Sequence, residues 1–248
     1  MKKIANFVAL GALLTQLSTG LVLAANSPKP KYGPEAQTLN QSHEYLSNHK
    51  APDFWALMPY YVPQQDEKSC SLASTTMVVN AARAHLKLGS EDGLATQPEV
   101  LKKAGNNYWK GALGITGRGV TLDHLKEVVA DALKAYGVEV ASVEAIHAVD
   151  LSEKMKTVLH QALVENEKSD HDFIIANFNQ GVYTGDAEAG HIAPVAAYDA
   201  TKKRILLLDP DRHWYEPYWV SEETFLKGMA TRDSDSKLNR GFVWVKLK

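Results

Sequence analysis

The stretch Cys70–Leu86, CSLASTTMVVNAARAHL, decides how this chain folds. Leu72, Val79 and Leu86 recur at seven-residue intervals, with Ala73, Met77 and Ala81 four apart beside them, so the spacing predicts a helix with Cys70 at its start. Thr121–Tyr136 reads as a second amphipathic helix, capped by Thr121 and stopped by Gly137, and Leu151–Glu165 as a third. The later half changes character. Phe173–Phe178, Ile192–Tyr198, Arg204–Asp209 and Gly241–Leu247 are short apolar or β-branched runs divided by turn residues, the pattern of an antiparallel sheet. Helices followed by strands predict an α+β domain, its helical part carrying Cys70 and packing on the sheet.

The 248 residues are 45% hydrophobic and 23% charged, as in ordinary globular chains, and the length suffices for a sizeable core. Lys2 and Lys3, the apolar run Phe7–Leu23 and then Ala24 and Ala25 read as a signal peptide over residues 1–25, cleaved near Ala24 or Ala25. The run is marginal for a span, holds Gln16, Ser18 and Thr19, and has no stop-transfer charges behind it. Export to the periplasm is therefore expected, without a stable membrane anchor. Removing Lys2 and Lys3 leaves 25 basic against 29 acidic side chains, net −4, with no basic block, which argues against nucleic acid as a partner. Residues 26–52, rich in Pro, Ser, Asn and Gln, read as a loosely packed polar arm, and residues 53–248 as one domain.

A lone cysteine in an exported chain forms no internal disulfide, so it is either a small core residue or a working thiol. A thiol attacks as the thiolate, which a helix N-terminus and a neighbouring imidazolium favour. Cys70 is placed for the first effect, and His191, in Gly190-His191-Ile192-Ala193-Pro194-Val195, begins a predicted strand from which a ring can reach a cleft. Asp209 ends the next predicted strand, and a hairpin through Asp199–Lys203 would lay its carboxylate near His191; standing before Pro210, it also fits a turn residue. Acyl transfer needs oxyanion donors, and Gln64 and Gln65 both precede Cys70 at a suitable spacing that does not choose between them. The order Cys, His, Asp with Gln ahead of Cys is that of papain-like enzymes, here with 121 residues between Cys70 and His191.

From Asp53 to the C-terminus the chain resembles the phytochelatin synthases, in particular the short prokaryotic members without the Cys-rich C-terminal region. The matching stretches are Asp53–Tyr61, Gln64–Ser74, Gly190–Tyr198, Leu208–Trp219 and Asn239–Phe242. The resemblance implies a papain-like cysteine protease fold that cleaves the Cys–Gly bond of glutathione, releases glycine, and passes γ-glutamylcysteine from the thiol to water or to a second glutathione. It implies Cys70 as nucleophile, His191 as base, Asp209 as its orienter and Gln64 as the oxyanion donor. It also implies that Asn177, Gly190, Asp233 and Arg240 hold the γ-glutamyl part, Asp233 facing an ammonium and Arg240 a carboxylate. The chain departs from the pattern at Ser69 and Ser71, where an aromatic residue and a glycine usually flank the nucleophile, and at Gln180, where an arginine is common. Loss of that arginine favours hydrolysis over polymerisation.

No Cys pair or His pair stands at ligand spacing: His43, His49, His85, His124, His147, His160, His171 and His213 are scattered, so no protein metal site or cofactor is expected. The resemblance implies that cadmium or zinc enters as a glutathione thiolate complex. The other readings are a papain-like peptidase acting on ordinary peptides and a non-enzymatic periplasmic thiol- or metal-binding protein.

Overall fold

The computed structural model describes residues 30–33, 36–114, 116–185 and 188–248; the expected signal segment lies outside them. No helix among the described residues is long and apolar enough to cross a membrane. In chain order the elements are β1 (Gln37–Thr38), α1 (Glu44–Asn48), α2 (Pro52–Leu57), α3 (Cys70–Arg83), α4 (Gln97–Ala104), α5 (Asn107–Ala112) and α6 (Leu122–Ala135). There follow β2 (Val140–His147), α7 (Glu153–Asn166), β3 (Asp172–Asn179), α8 (Gln180–Thr184), β4 (Gly190–Asp199), β5 (Arg204–Leu207), β6 (Tyr218–Ser221), α9 (Glu222–Met229) and β7 (Gly241–Leu247). The strands form one antiparallel sheet in the order β1-β6-β5-β4-β3-β7-β2.

The domain is α+β, but helices cover both faces of the sheet rather than one. Phe173, Ile175, Val243 and Val245 join a core with α2 to α6, while Ile174, Ala176 and Phe242 join another with α7, α8 and α9. Two-sided burial is why β3 and β7 read as continuous apolar runs instead of alternating ones. Helices do not all precede strands: β2 falls between α6 and α7 and pairs with β7 at the sheet edge. Its half-exposed sequence, VASVEAIH, has too little apolar alternation to have been found.

Helix ends follow local chemistry. Thr121 accepts a hydrogen bond from the His124 N–H and Ser152 one from the Met155 N–H, capping α6 and α7. Gly137, with φ 72°, turns the chain after α6 as expected of a C-terminal stop. The stretch read as a loose arm is instead tied down from Gln37: β1 pairs with β6, Tyr45 and Leu46 enter the core, and the Trp219 indole donates to the Ser42 carbonyl at 2.7 Å.

Gly241 shows how tightly β2 and β7 are joined. A Cβ added there would stand 2.0 Å from the Ile146 carbonyl oxygen, a backbone atom of the paired strand. Gly241→Ala is expected to destabilise the domain by about 1–3 kcal/mol, as overpacking does, read as a fall in the urea midpoint with unchanged slope; an unaltered midpoint would show that the two strands separate easily.

Candidate active site

Every residue of α3 is buried, so this helix has no solvent face at all. Its small side chains allow that. Ser74 Oγ donates to the Ile192 carbonyl at 3.1 Å, tying α3 to β4, and the Trp109 indole donates to Ser71 Oγ at 3.1 Å. The two serines flanking Cys70 therefore have structural employment: Ser71 satisfies a buried indole, and Ser69 closes the preceding loop. Ser69 Oγ accepts from the N–H groups of Gln65 and Asp66 at 2.9 Å each and donates to the Asp66 carbonyl. That loop delivers Cys70 at the first residue of α3, 6% exposed, to the floor of a cleft of about 1100 Å³.

His191 lies on β4 opposite Phe178 of β3, whose ring meets it edge-on at 5.5 Å between centroids. One imidazole nitrogen, Nε2, is 2.7 Å from Asp209 Oδ1, and Cys70 is near enough to the ring to help hold it charged. The structure thus brings Cys70, His191 and Asp209 together at one place in the cleft. Asp209 is not the end of β5, which stops at Leu207; it stands two residues beyond, in the turn before Pro210. It is wholly buried, and its carboxylate accepts also from the Asp211 N–H at 2.9 Å and the Tyr218 hydroxyl at 2.9 Å. The Tyr61 hydroxyl donates to its carbonyl. Neither tyrosine was singled out from the sequence, because only the fold reveals what a buried phenol donates to.

Burial alone would push the His191 imidazole towards neutrality, but the charge and hydrogen bond of Asp209, with the Cys70 contact, hold its pKa well above the usual value. Burial likewise opposes ionisation of Asp209, and its partners, His191 first, outweigh it and keep its pKa below the usual value. Tyr218 is raised well above the ordinary phenol value by burial and by Asp209, so it stays a donor.

The remaining candidates line the same cleft: Gln64, Gln65, Asn177, Gly190, Asp233 and Arg240. Gln64 is half-buried and Gln65 exposed. The Gln64 N–H donates to the Pro210 carbonyl at 2.8 Å, which anchors it beside Asp209, and its Oε1 is buried without a hydrogen-bond partner among the described residues. Arg240 lies against Gly190, where a Cβ would come within 3.1 Å of its Nη2. Its Nη1 donates to the Thr231 hydroxyl and the Arg232 carbonyl, whereas Nε is buried without a partner among the described residues. Burial lowers its pKa, and Asp233 and Asp235 oppose that. Asp233 Oδ1 accepts from the N–H groups of Asp235 and Ser236, so one oxygen of this carboxylate shapes a turn. Gln180 begins α8 in the cleft wall with its Nε2 buried and unpartnered among the described residues. Arg118 and Asp235, 3.0 Å apart, join the two rims.

A family model described as phytochelatin synthase matches residues 35–242. Among curated proteins, glutathione gamma-glutamylcysteinyltransferase 1 of Lotus japonicus is 26% identical over 82% of this chain and 37% of its own length. The enzyme of that name from Arabidopsis thaliana is 24% identical, over 82% of this chain and 39% of its own length. The glutathione gamma-glutamylcysteinyltransferase of Schizosaccharomyces pombe is 23% identical, over 80% and 44%. The chain thus spans about two fifths of the length of the curated relatives it matches.

The buried pair has a pH signature. With His191 raised, its stabilisation is fully present below the ordinary imidazole value of 6.5 and is lost as pH rises through the raised value. With Asp209 lowered, its share is present above the ordinary 3.8 and is lost as pH falls through the lowered value. The stability difference between the wild type and Asp209→Asn, about 3–5 kcal/mol for a broken buried pair, is expected to be widest between those two ordinary values and to narrow on both sides in urea titrations; a pH-independent difference would show that the pair is not ionised.

Proposed function

We propose, on the premise that this chain belongs to the phytochelatin synthase family, that it is a glutathione γ-glutamylcysteinyltransferase working through a thioester on Cys70. The observation that carries the reading is His191 lining one cleft with Cys70, its Nε2 2.7 Å from a buried carboxylate. Under it the helix-borne thiol, the strand-borne imidazole and the orienting Asp209 form a papain-like arrangement within a catalytic domain of residues 53–248.

With Nε2 committed to Asp209, the other ring nitrogen faces the sulfur, and an imidazolium held there favours the thiolate. The thiolate attacks the carbonyl carbon of the Cys–Gly bond of glutathione. The oxyanion that forms is met by the Cys70 backbone N–H and the Gln64 side-chain amide. His191 gives its proton to the departing glycine nitrogen, the C–N bond breaks, and γ-glutamylcysteine remains on Cys70 as a thioester. Neutral His191 then takes a proton from water, or from the amine of a second glutathione, as that nucleophile displaces the thiol. Arg240 and Asp233 receive the carboxylate and ammonium of the γ-glutamyl group, with Asn177 and Gly190 forming the wall between them. A cadmium or zinc thiolate complex of glutathione is a form of the substrate in this reading. The signal-like residues 1–25 support a periplasmic setting for the reaction, and the neutral Gln180 supports water over a second, anionic glutathione as acceptor.

Intact-protein mass spectrometry after brief mixing with glutathione is expected to find a γ-glutamylcysteinyl adduct on the wild type and none on Cys70→Ala; equal glycine release by Cys70→Ala would overturn the assignment. Replacement of Gln64 by Ala should lower kcat by about 10²–10³, and that of Gln65 should leave it near wild type; the reverse would exchange their roles. Preferential turnover of ordinary peptides over glutathione in the same assay would favour a general peptidase. Gln180→Arg is expected to raise the ratio of phytochelatin to free γ-glutamylcysteine, and an unchanged ratio would remove Gln180 from acceptor choice.

A further inference from the structure

Two histidines that are far apart in the chain meet at the end of α3 opposite Cys70. His85 follows α3 in the turn that closes it, and His171 precedes β3; their rings lie 4.4 Å apart between centroids. Both aim a nitrogen at Asp170. His85 Nε2 is 3.0 Å from the Asp170 carbonyl and 3.6 Å from Oδ2, and His171 Nδ1 is 3.2 Å from Oδ1. Sequence spacing hides this set, since 85 residues separate His85 from Asp170.

One donor atom from each of the three residues falls within 4.8 Å of the other two. Tetrahedral zinc, with bonds of about 2.0–2.2 Å to nitrogen and oxygen, spaces its donors roughly 3.4 Å apart, so modest side-chain rotations close the set. The backbone on both sides is fixed: the His85 N–H donates to the Ala82 carbonyl, and the His171 carbonyl accepts from Leu247 on β7. Two nitrogens and one carboxylate oxygen suit a borderline cation better than magnesium or calcium, which take oxygen sets. No Lys or Arg forms an ion pair with Asp170 among the described residues, so its carboxylate is left to the two histidines.

We propose that His85, Asp170 and His171 form a surface site for a divalent zinc-like cation, with water or another ligand in the fourth position. The ion would replace the hydrogen bonds that now run to Asp170 and would staple the C-terminal end of α3 to the interior strand β3. It is a site distinct from the cleft, and its occupation is not required by the thioester chemistry.

The test is zinc titration of the EDTA-treated full chain by equilibrium dialysis, in wild type and in Cys70→Ser, which removes the thiol as a competing ligand. One zinc per chain is expected to remain in Cys70→Ser, with affinity falling about tenfold or more when His85→Ala or His171→Ala is added. Zinc should also raise the thermal midpoint of Cys70→Ser and leave that of Cys70→Ser/His85→Ala unmoved. In metal-free buffer, His85→Ala should release glycine from glutathione at the wild-type rate. Absence of zinc binding by Cys70→Ser, or binding undiminished by loss of both histidines, would overturn the proposal.

Discussion

A carboxylate and an imidazole held together out of water set the terms for the rest of this molecule. Taking an ion from water into a protein interior costs several kcal/mol even after relaxation, and attraction offsets that only where further hydrogen bonds meet the remaining lone pairs. Asp209 is so supplied by His191, Tyr218 and the Asp211 N–H, and its carbonyl by Tyr61. Those donors come from β4, β6, the turn after β5 and the segment before α3. No single element could satisfy this carboxylate, so a buried ion pair is possible only where the sheet and the helical layer are both assembled. Formation of the buried pair and completion of the fold are in that sense one event.

The helix that brings the thiol is shaped by the same demand. Ser71, Ala73, Ser74 and Thr75 leave little side chain between its backbone and its neighbours, and the hydroxyls of Thr75 and Thr76 turn back to the carbonyls of Ser71 and Leu72. A helix buried all round must satisfy its polar side chains internally or across the interface, and Ser74, which donates to the Ile192 carbonyl next to His191, does so across it. One hydrogen bond thus couples the helix that begins at Cys70 to the strand that carries His191.

Much of this was legible in the residues. Cys70 at a helix start, the helix capped by Thr121, the helix near Leu151–Glu165, and the hairpin between β4 and β5 follow from local rules that tertiary packing did not override. What escaped notice depends on burial or on distance. The seven-residue pattern in α3 suggested one apolar face because large side chains are easily seen, whereas serine and alanine bury equally well against close neighbours. Strand β2 was missed because its edge position lets Ser142 and Glu144 interrupt the pattern. Asp209 lies beyond its strand because its carboxylate is used by the turn as well as by His191. Tyr61, Tyr218 and the cluster of His85 with His171 could not be seen at all, since their partners stand 148, 9, and 85 or 86 positions away and no short-range spacing records them.

Gly190 and His191, neighbours on β4, connect the two halves of the cleft. Gly190 lacks the side chain that would press on Arg240, and His191 carries the ring paired with Asp209. A slip of one residue in the pairing of β4 with β3 would put His191 in the place of Gly190 and Ile192 in the place of His191, setting an imidazole against the guanidinium and withdrawing it from Asp209. The register Asn177 to Ile192 and Phe178 to His191 therefore fixes the Gly190–Arg240 contact and the His191–Asp209 pair together. Under the proposed function, binding and chemistry share this one structural variable, so substitutions that loosen β4 would impair both at once, whereas substitutions at Arg240 or at Cys70 would separate them.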